Sequence, residues 1–204
     1  MLTHVKGALS AGALERLITA RVGIAGAGGL GSNCAMHLVR MGVKHLVVVD
    51  DDVVERSNLN RQFFFERQVG QSKVDALKEN LCAITSGLSL DFYGETVIQD
   101  NVDTFFGACD AVVEAFDAVA SKKLLTEYCL KKKIFLVSAS GISGWGESDR
   151  FKNREIFKDF FVVGDGETEV SAASPALSSG VGIAAAKQAD LIFTFLAGKM
   201  PKGA

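Results

Sequence analysis

A glycine-rich stretch, AGAGGLGSN at residues 25–33, is the first part of the sequence that could carry chemistry. It fits the pattern G-x-G-x-x-G through Gly26, Gly28 and Gly31, with Gly29 between them. Glycines let phosphate oxygens approach the main chain, and a helix that follows such a loop directs backbone N–H groups and a positive dipole to the same point. A tight turn between a strand and a helix, without any ligand, is the alternative explanation.

An acidic residue at a suitable distance favours nucleotide binding. Asp50 follows the glycine loop by about 20 residues and ends the second predicted strand, a spacing typical of nucleotide-binding folds. A carboxylate in that position accepts hydrogen bonds from ribose hydroxyls. The alternative interpretation of Asp50 is a solvated aspartate at a strand end that binds no ligand. The loop and Asp50 together predict a nucleotide site.

Cationic residues farther along indicate phosphate transfer rather than hydride transfer. The stretch DDDVVERSNLNRQ ends at Gln62, and Lys73 follows in QSKVDAL. The guanidinium of Arg61 can bind two phosphate oxygens, and Lys73 supplies a point charge near a helix start. Together they could neutralise charge that develops on an α-phosphate under attack. For either residue in isolation, a surface salt bridge is the competing interpretation.

Asp117, in the stretch VVEAFDAV, is the candidate metal ligand. It lies at the carboxyl end of a predicted central strand, where doubly wound folds bind ligands. Mg²⁺ commonly takes one or two carboxylates together with substrate phosphates. The alternative role, which can coexist, is an N-cap for a helix that starts near Ala118.

The elements that must position these residues alternate between strand and helix patterns. Strands are predicted at 22–25, 46–49, 88–93, 111–115 and 134–139, with helices at 32–40, from 72 onward, and at 118–131. This alternation gives right-handed βαβ units and a parallel sheet. We therefore predict a doubly wound, Rossmann-like α/β fold with a mostly parallel sheet.

The nucleotide-binding core of this fold is expected to span about residues 21–140. After it, a strand at 160–163, a surface loop at 171–179 and a closing helix at 180–196 are predicted. The whole chain, 1–204, is interpreted as one domain, because its length leaves no room for a separate substrate domain.

Composition argues against several kinds of partner. The formal net charge is −2, and the densest basic cluster, Lys131 to Lys133, is typical of a solvated helix end, so we expect no nucleic-acid partner. The first residues do not match a signal peptide, and no apolar run reaches the ~18 residues of a membrane span. We expect a cytoplasmic protein without a membrane partner.

Four cysteines are present, Cys34, Cys82, Cys109 and Cys129, and no two have C-x-x-C spacing. No zinc is expected for that reason. The apolar surroundings of all four predict buried, reduced thiols.

In combination, four stretches resemble the ThiF/MoeB/HesA family, which shares the adenylation fold of ubiquitin-activating enzymes. They are GAGGLGS at 26–32, D-x-D-x-V at 50–54, SNLNRQ at 57–62 and VGQSK at 69–73. The likeness is good from residue 21 to about 145 and looser afterwards. Short ThiF-like proteins, often linked to thiamine biosynthesis, also share the stretches VVGDGE and GVGIAAAKQA.

The resemblance implies ATP-dependent adenylation of a carboxylate. The C-terminal glycine of a ubiquitin-like sulfur carrier protein, of the ThiS or MoaD type, would attack the α-phosphate of ATP and give an acyl-adenylate and pyrophosphate. Catalytic roles carry over by position to Arg61 on the phosphates, Lys73 in the transition state, and Asp117 as the holder of Mg²⁺. Members of the family are usually dimeric, and we expect a homodimer.

The resemblance also implies a set of nucleotide contacts. Asp50 would bind ribose, and Gly29 with its loop would approach the nucleotide. The full set of predicted nucleotide-binding residues is Gly26, Gly28, Gly29, Gly31, Asp50, Asp52, Ser57, Asn58, Arg61, Gln62 and Lys73.

The sequence departs from the family pattern at three points. The two zinc-binding C-x-x-C pairs of many members are missing. Residues 141–204 contain no cysteine, so activation is expected to stop at the adenylate. The usual N-terminal arginine motif, which reaches the partner subunit's ATP, is also missing, and Arg16 is the only stand-in.

Two aromatic features leave further alternatives open. Phe63 to Phe65 form either a buried loop anchor or a dimer contact. Trp145 is a candidate to line a groove for the flexible tail of a carrier protein.

Three other functions compete with carrier adenylation. One is a relative that adenylates a small-molecule or RNA-linked carboxylate, and another is a nucleotide-binding partner without catalysis. The third, a dinucleotide-dependent oxidoreductase, needs a catalytic donor–acceptor set that the sequence does not offer.

Overall fold

The computed structural model describes residues 7–200, which form a seven-stranded sheet flanked by helices. The strands are β1 (Arg21–Ala25), β2 (His45–Val49), β3 (Ser89–Tyr93), β4 (Ala111–Glu114), β5 (Phe135–Ala139), β6 (Lys152–Phe157) and β7 (Phe160–Gly164). The helices are α1 (Ala11–Thr19), α2 (Gly29–Arg40), α3 (Lys73–Ile84), α4 (Val102–Phe106), α5 (Val119–Lys132) and α6 (Ser178–Leu196). Both ends of the predicted 1–204 domain lie outside the described residues.

The order of the strands confirms the predicted doubly wound fold. It is β3-β2-β1-β4-β5-β7-β6, and every neighbouring pair is parallel except β6 with β7. The chain builds outward from β1 to β3 on one side, then returns to place β4 on the other side of β1. Ligands in such folds bind beyond the carboxyl ends of the strands at this reversal, so the topology locates the site.

Two apolar layers cover the two faces of the sheet. One contains α2, α3 and α6, with Leu38, Leu77 and Ile192 fully buried, and the other contains α4 and α5, with Phe106 and Leu125 fully buried. The central strands are buried on both faces, which is why β1, β2 and β4 are continuous apolar runs rather than alternating ones. Both layers hold the carboxyl ends of the strands in fixed positions.

The strand β6 is an element that the sequence analysis missed. All six residues of KNREIF are exposed, and the strand pairs antiparallel with β7 at the edge of the sheet. Because no residue of β6 is buried, its sequence has no hydrophobic pattern that would predict a strand. Its hydrogen bonds to β7 define it as a strand. The helices at 11–19 and 102–106 were not predicted from the sequence either.

The longest described helix, α6, packs against α2 and carries Lys187, Gln188 and Asp190. Across residues 7–200, no helix combines the length and the apolar character needed to cross a membrane.

Replacement of Gly182 with alanine should stabilise the protein. Gly182 lies inside α6, and a Cβ at this position would meet no atom within 4 Å. Alanine in a helix interior is favoured over glycine by about 0.5–1 kcal/mol, so Gly182→Ala should raise the free energy of unfolding by that amount. Urea denaturation measures it. Gly180→Ala is the control, since its Cβ would lie 3.1 Å from the Ile142 carbonyl oxygen and should gain less. An equal gain at both positions would contradict the argument.

Candidate active site

A cavity of about 800 Å³ opens at the carboxyl ends of the strands that flank the chain reversal. Its wall includes residues from the segments that follow β1, β2, β3, β4 and β5, as the doubly wound topology requires. Nine of the predicted site residues line it: Gly26, Gly28, Gly29, Asp50, Asp52, Arg61, Gln62, Lys73 and Asp117.

The glycine loop owes its shape to two close backbone approaches. Gly26 has a φ of +98°, and a Cβ there would lie 2.8 Å from the Ala115 carbonyl oxygen. Gly31 lies on the first turn of α2, and its Cβ would fall 1.8 Å from the Gly26 carbonyl oxygen. Gly31 is therefore not part of the cavity wall. It allows the helix to pack against the loop, so that Gly28 and Gly29 reach the cavity.

Asp50 is held rigidly at the end of β2. Its Oδ2 accepts a hydrogen bond from Ala27 N at 2.6 Å, and its Oδ1 accepts one from Asp52 N at 2.9 Å. Burial raises the pKa of this carboxyl, and the bond from Ala27 and the charge of Lys73 act in the opposite direction. Each carboxylate oxygen can accept more than one hydrogen bond, so ribose hydroxyls can still donate to Asp50.

Lys73 is a buried cation at the cavity wall. It is the first residue of α3 and is 6% exposed. Its Nζ lies 2.6 Å from Asp52 Oδ2 and 4.0 Å from Asp50 Oδ1. Asp52 is largely exposed. A phosphate could therefore replace Asp52 as the partner of Lys73, since the exposed carboxylate can turn into solvent at little cost.

Arg61 is placed by a short turn that packs on α2. Its NH1 donates to the Ser57 carbonyl oxygen at 3.1 Å and to Asn60 Oδ1 at 2.7 Å, both of them neutral acceptors. Asn33 on α2 donates to the Arg61 carbonyl oxygen at 2.9 Å. Within residues 7–200 no carboxylate forms an ion pair with Arg61. Its positive charge is thus available to an anionic ligand.

Ser57 and Asn58 are not among the cavity-lining residues, unlike the other predicted nucleotide contacts near them. Asn58 is buried, and its Oδ1 accepts a hydrogen bond from Glu55 N at 3.0 Å. The Ser57 hydroxyl donates to Glu55 Oε2 at 3.0 Å. In this structure the two residues shape the turn that holds Arg61.

Asp117 lies exposed on the turn between β4 and α5. The N-cap of α5 is Ala118 and makes no side-chain cap bond, so the alternative role of Asp117 as the cap is not what the structure shows. In the described part of the chain its carboxylate has neither a hydrogen-bond nor an ion-pair partner. An unpaired carboxylate on a nucleotide-sized cavity fits the donor chemistry of Mg²⁺.

A buried charge network that was not predicted from the sequence lies below this turn. Glu114, the last residue of β4, is fully buried and accepts hydrogen bonds from Phe116 N, Lys122 Nζ and Ser138 Oγ. Lys122 also lines the cavity. The available signal was the acidic residue inside the apolar run AVVEAF, because a buried carboxylate must have partners.

The loop between β7 and α6 covers part of the cavity through Thr168, Glu169, Val170 and Ala176. It is tied down by Ser143 Oγ, which donates to the Glu169 carbonyl oxygen at 2.8 Å, and by Gly144 N, which donates to the Pro175 carbonyl oxygen at 2.9 Å. Trp145 is 64% exposed and lies outside the cavity wall, beside a separate small cleft.

The residues considered as possible dimer contacts differ in their burial and in their partners. Arg16 Nε donates to the Leu196 carbonyl oxygen at 2.8 Å and thereby caps the end of α6 in its own chain. Phe64 is buried, in agreement with a loop anchor, whereas Phe65 is about half exposed.

Only one of the four thiols should react in the folded protein. Cys34, Cys109 and Cys129 are buried, but Cys82 is exposed, which corrects the expectation that all four are buried. Burial raises the pKa of Cys109 and of Cys129 to about 12 and raises that of Cys34 as well.

Since the thiolate is the nucleophile, Ellman's reagent should modify one thiol in native protein and four in denaturant. Cys82→Ser should show none until it unfolds, and rapid reaction of a second thiol would contradict these placements.

Comparison with known proteins gives one family match. The chain matches the ThiF family over residues 3–204. It is 36% identical over 133 residues to the adenylyltransferase and sulfurtransferase MOCS3 of Culex quinquefasciatus, which covers 65% of this chain. It is 38% identical over 123 residues to the SAMP-activating enzyme E1 of Haloferax volcanii, 60% of this chain. With the tRNA threonylcarbamoyladenosine dehydratase of Bacillus subtilis it shares 33% identity over 147 residues, 71% of this chain.

The chain spans 30%, 46% and 58% of the lengths of these three relatives, respectively. Among solved structures, the tRNA N6-threonylcarbamoyladenosine dehydratase TcdA of E. coli in complex with ATP superposes with a TM-score of 0.80 at 23% identity, covering 93% of this chain and 91% of that one. This similarity confirms the fold.

Proposed function

The chain belongs to the ThiF family, and from that premise we propose that it is an ATP-dependent adenylyltransferase that activates a carboxylate as an acyl-adenylate. The observation that carries the proposal is the convergence of three side chains on one cavity at the glycine loop: a buried lysine, and an arginine and an aspartate that have no ion-pair partner among residues 7–200. These are Lys73, Arg61 and Asp117. Hydride transfer needs none of them, whereas nucleotidyl transfer needs positive charge around a phosphate.

In this proposal the nucleotide is held by groups that the fold places before it arrives. The backbone N–H groups at the start of α2 face the phosphates, and Asp50 accepts hydrogen bonds from the ribose hydroxyls. Lys73 exchanges its ion pair with Asp52 for one with a phosphate oxygen. Because Lys73 is buried, its charge acts in a medium of low dielectric constant and is weakly screened.

The chemical step is a displacement at the α-phosphorus. An oxygen of the substrate carboxylate forms a bond to that phosphorus, the bond to the bridging oxygen breaks, and pyrophosphate leaves. Arg61 and Lys73 stabilise the negative charge that develops on the phosphoryl oxygens. Asp117 would hold Mg²⁺, which supplies further neutralisation of phosphate charge when it is bound.

We further propose that the substrate is the C-terminal glycine of a ubiquitin-like sulfur carrier protein, of the ThiS type, in thiamine biosynthesis. The names of two relatives support a carrier of this kind, one an adenylyltransferase and sulfurtransferase and the other a SAMP-activating E1. A homodimer, as is usual in the family, is part of the same proposal. The burial of three thiols, together with the lack of cysteine in residues 141–204, supports a reaction that stops at the adenylate.

An RNA-linked carboxylate is the second candidate substrate. It is favoured by the relative from Bacillus subtilis, a tRNA threonylcarbamoyladenosine dehydratase, which covers more of this chain than the other two. The same cavity and cations would serve both substrates, because the chemistry at the α-phosphorus is identical.

Exchange of pyrophosphate into ATP, measured with Mg²⁺, tests the proposal. A ThiS-type carrier that ends in Gly-Gly should support exchange, and the same carrier without its last glycine should not. Exchange with tRNA that carries threonylcarbamoyladenosine, and not with the carrier, would favour the second candidate. If ATP binds and no carboxylate supports exchange, the protein is a nucleotide-binding partner and the proposed activity is wrong.

A further inference from the structure

We propose that Glu114 is a positioning residue that fixes the turn carrying Asp117, and that it acts through Phe116 N and Lys122. The inference rests on the proposed function, since the task of the turn is to present Asp117 to Mg²⁺ and ATP.

The burial of Glu114 requires an explanation. Its side chain is fully buried at the end of β4, and transfer of a carboxylate out of water is costly unless every lone pair finds a partner. Glu114 meets that condition: Oε1 accepts bonds from Phe116 N at 2.8 Å and Lys122 Nζ at 3.1 Å. Oε2 accepts from Lys122 Nζ at 3.0 Å and from the Ser138 hydroxyl. An apolar residue would fill the space at lower cost, so stability alone is a weak reason for the pair.

The partners of Glu114 enclose Asp117 along the chain. Phe116 directly precedes Asp117, and Lys122 lies on the first turns of α5 directly after it. One carboxylate thus ties down both sides of the segment 116–122. The N-cap of α5, Ala118, makes no side-chain hydrogen bond. The contacts of Glu114 with Phe116 N and Lys122 Nζ therefore hold the start of α5 in place.

Glu114 is itself anchored to the centre of the sheet. Its own carbonyl oxygen accepts a hydrogen bond from Gln188 Nε2 of α6 at 3.2 Å, and Ser138 belongs to the neighbouring strand β5. The carboxylate therefore transmits the rigidity of β4 and β5 to an exposed turn. Loss of a residue that orients a metal ligand typically costs about 10–100-fold in metal affinity or activity.

A direct contact between Lys122 and a phosphate is the competing explanation, because Lys122 lines the cavity and is partly exposed. The two explanations differ in their dependence on metal. A direct cation would strengthen ATP binding with or without Mg²⁺, whereas a positioning role through Asp117 appears only when Mg²⁺ is present.

The test is the Kd for ATP, measured by titration calorimetry on the full chain in Mg²⁺ and again in EDTA. Glu114→Gln and Lys122→Met should each weaken binding by about 10-fold in Mg²⁺, the size typical of lost support for a metal ligand, and by less than about 2-fold in EDTA. Lys123→Met is the matched control. Lys123 is the neighbour of Lys122 on α5, lies 3.8 Å from Glu127 and does not line the cavity, so the Kd of this variant should not change in either buffer.

Equal weakening in both buffers would overturn the inference and favour a direct phosphate contact. Unchanged affinity of both variants in Mg²⁺, beside a wild-type chain that binds ATP more tightly with Mg²⁺, would overturn the inference and leave the proposed function intact. If Glu114→Gln fails to fold, Lys122→Met decides the matter, because Lys122 is partly exposed. Failure of the wild-type chain to bind ATP would overturn the proposed function and this inference together.

Discussion

Lys73→Ala should lower the rate of ATP–pyrophosphate exchange by about 10²–10³-fold, the cost typical of removing one preorganised charge or donor from a transition state. The cation is buried at the cavity wall, so water cannot replace it effectively when charge develops on the α-phosphate. The loss should fall mainly on the exchange rate and less on the affinity for ATP. Asp52, its partner, is largely exposed and can be solvated, so the fold should survive.

The control for this variant is Lys78→Ala. Lys78 is exposed on the same helix, α3, and does not line the cavity, so the loss of its charge should leave the exchange rate unchanged. Lys73→Arg tests whether a positive charge alone suffices, and we expect partial recovery because the buried site is shaped for an ammonium group. Exchange by Lys73→Ala within about 3-fold of the wild-type rate would be too small a loss for a transition-state role.

Gly31→Ala should both destabilise the protein and abolish nucleotide binding. Its Cβ would lie 1.8 Å from the Gly26 carbonyl oxygen, and the obstacle is backbone, which cannot rotate away as a side chain can. Either α2 or the glycine loop must move, at a cost of about 3 kcal/mol, the upper end of ordinary overpacking. Movement of the loop also displaces the N–H groups that face the cavity. Urea denaturation and ATP titration measure the two effects.

Gly28→Ala separates the shape of the loop from its contact with a ligand. A Cβ at Gly28 would have no neighbour closer than Gln62 Nε2, at 3.9 Å, so the variant should keep most of its stability. Because Gly28 lines the cavity, any loss should appear in the affinity for ATP. If Gly31→Ala unfolded at the same urea concentration as the wild type, the close packing of α2 on the loop would be wrong.

The hydrophobic pattern of consecutive residues was sufficient to predict the strands and helices that are buried on one or both faces. The runs of β1, β2, β4 and β5 and the glycine loop all appear in the sequence, because burial imposes an apolar pattern on consecutive residues. The same pattern failed for β6, whose residues are all exposed and whose only definition is its pairing with β7. It also failed for Cys82, which lies on the exposed side of α3.

For the site, residue type and spacing in the sequence predicted Asp50, Arg61, Lys73 and Asp117, and the structure places all four on the wall of one cavity. The sequence could not show that Ser57 and Asn58 bond within their own turn, nor that Glu114 and Ser138, which come from different strands, share one hydrogen bond. The contact between Glu114 and Ser138 joins residues that are 24 positions apart, so no local pattern records it. The bonds of Ser57 and Asn58 to Glu55 are local, but they depend on the conformation that the turn adopts in the folded chain. The sequence thus identified chemical groups that line the cavity, whereas their burial and their hydrogen-bond partners depend on the packing of the folded chain.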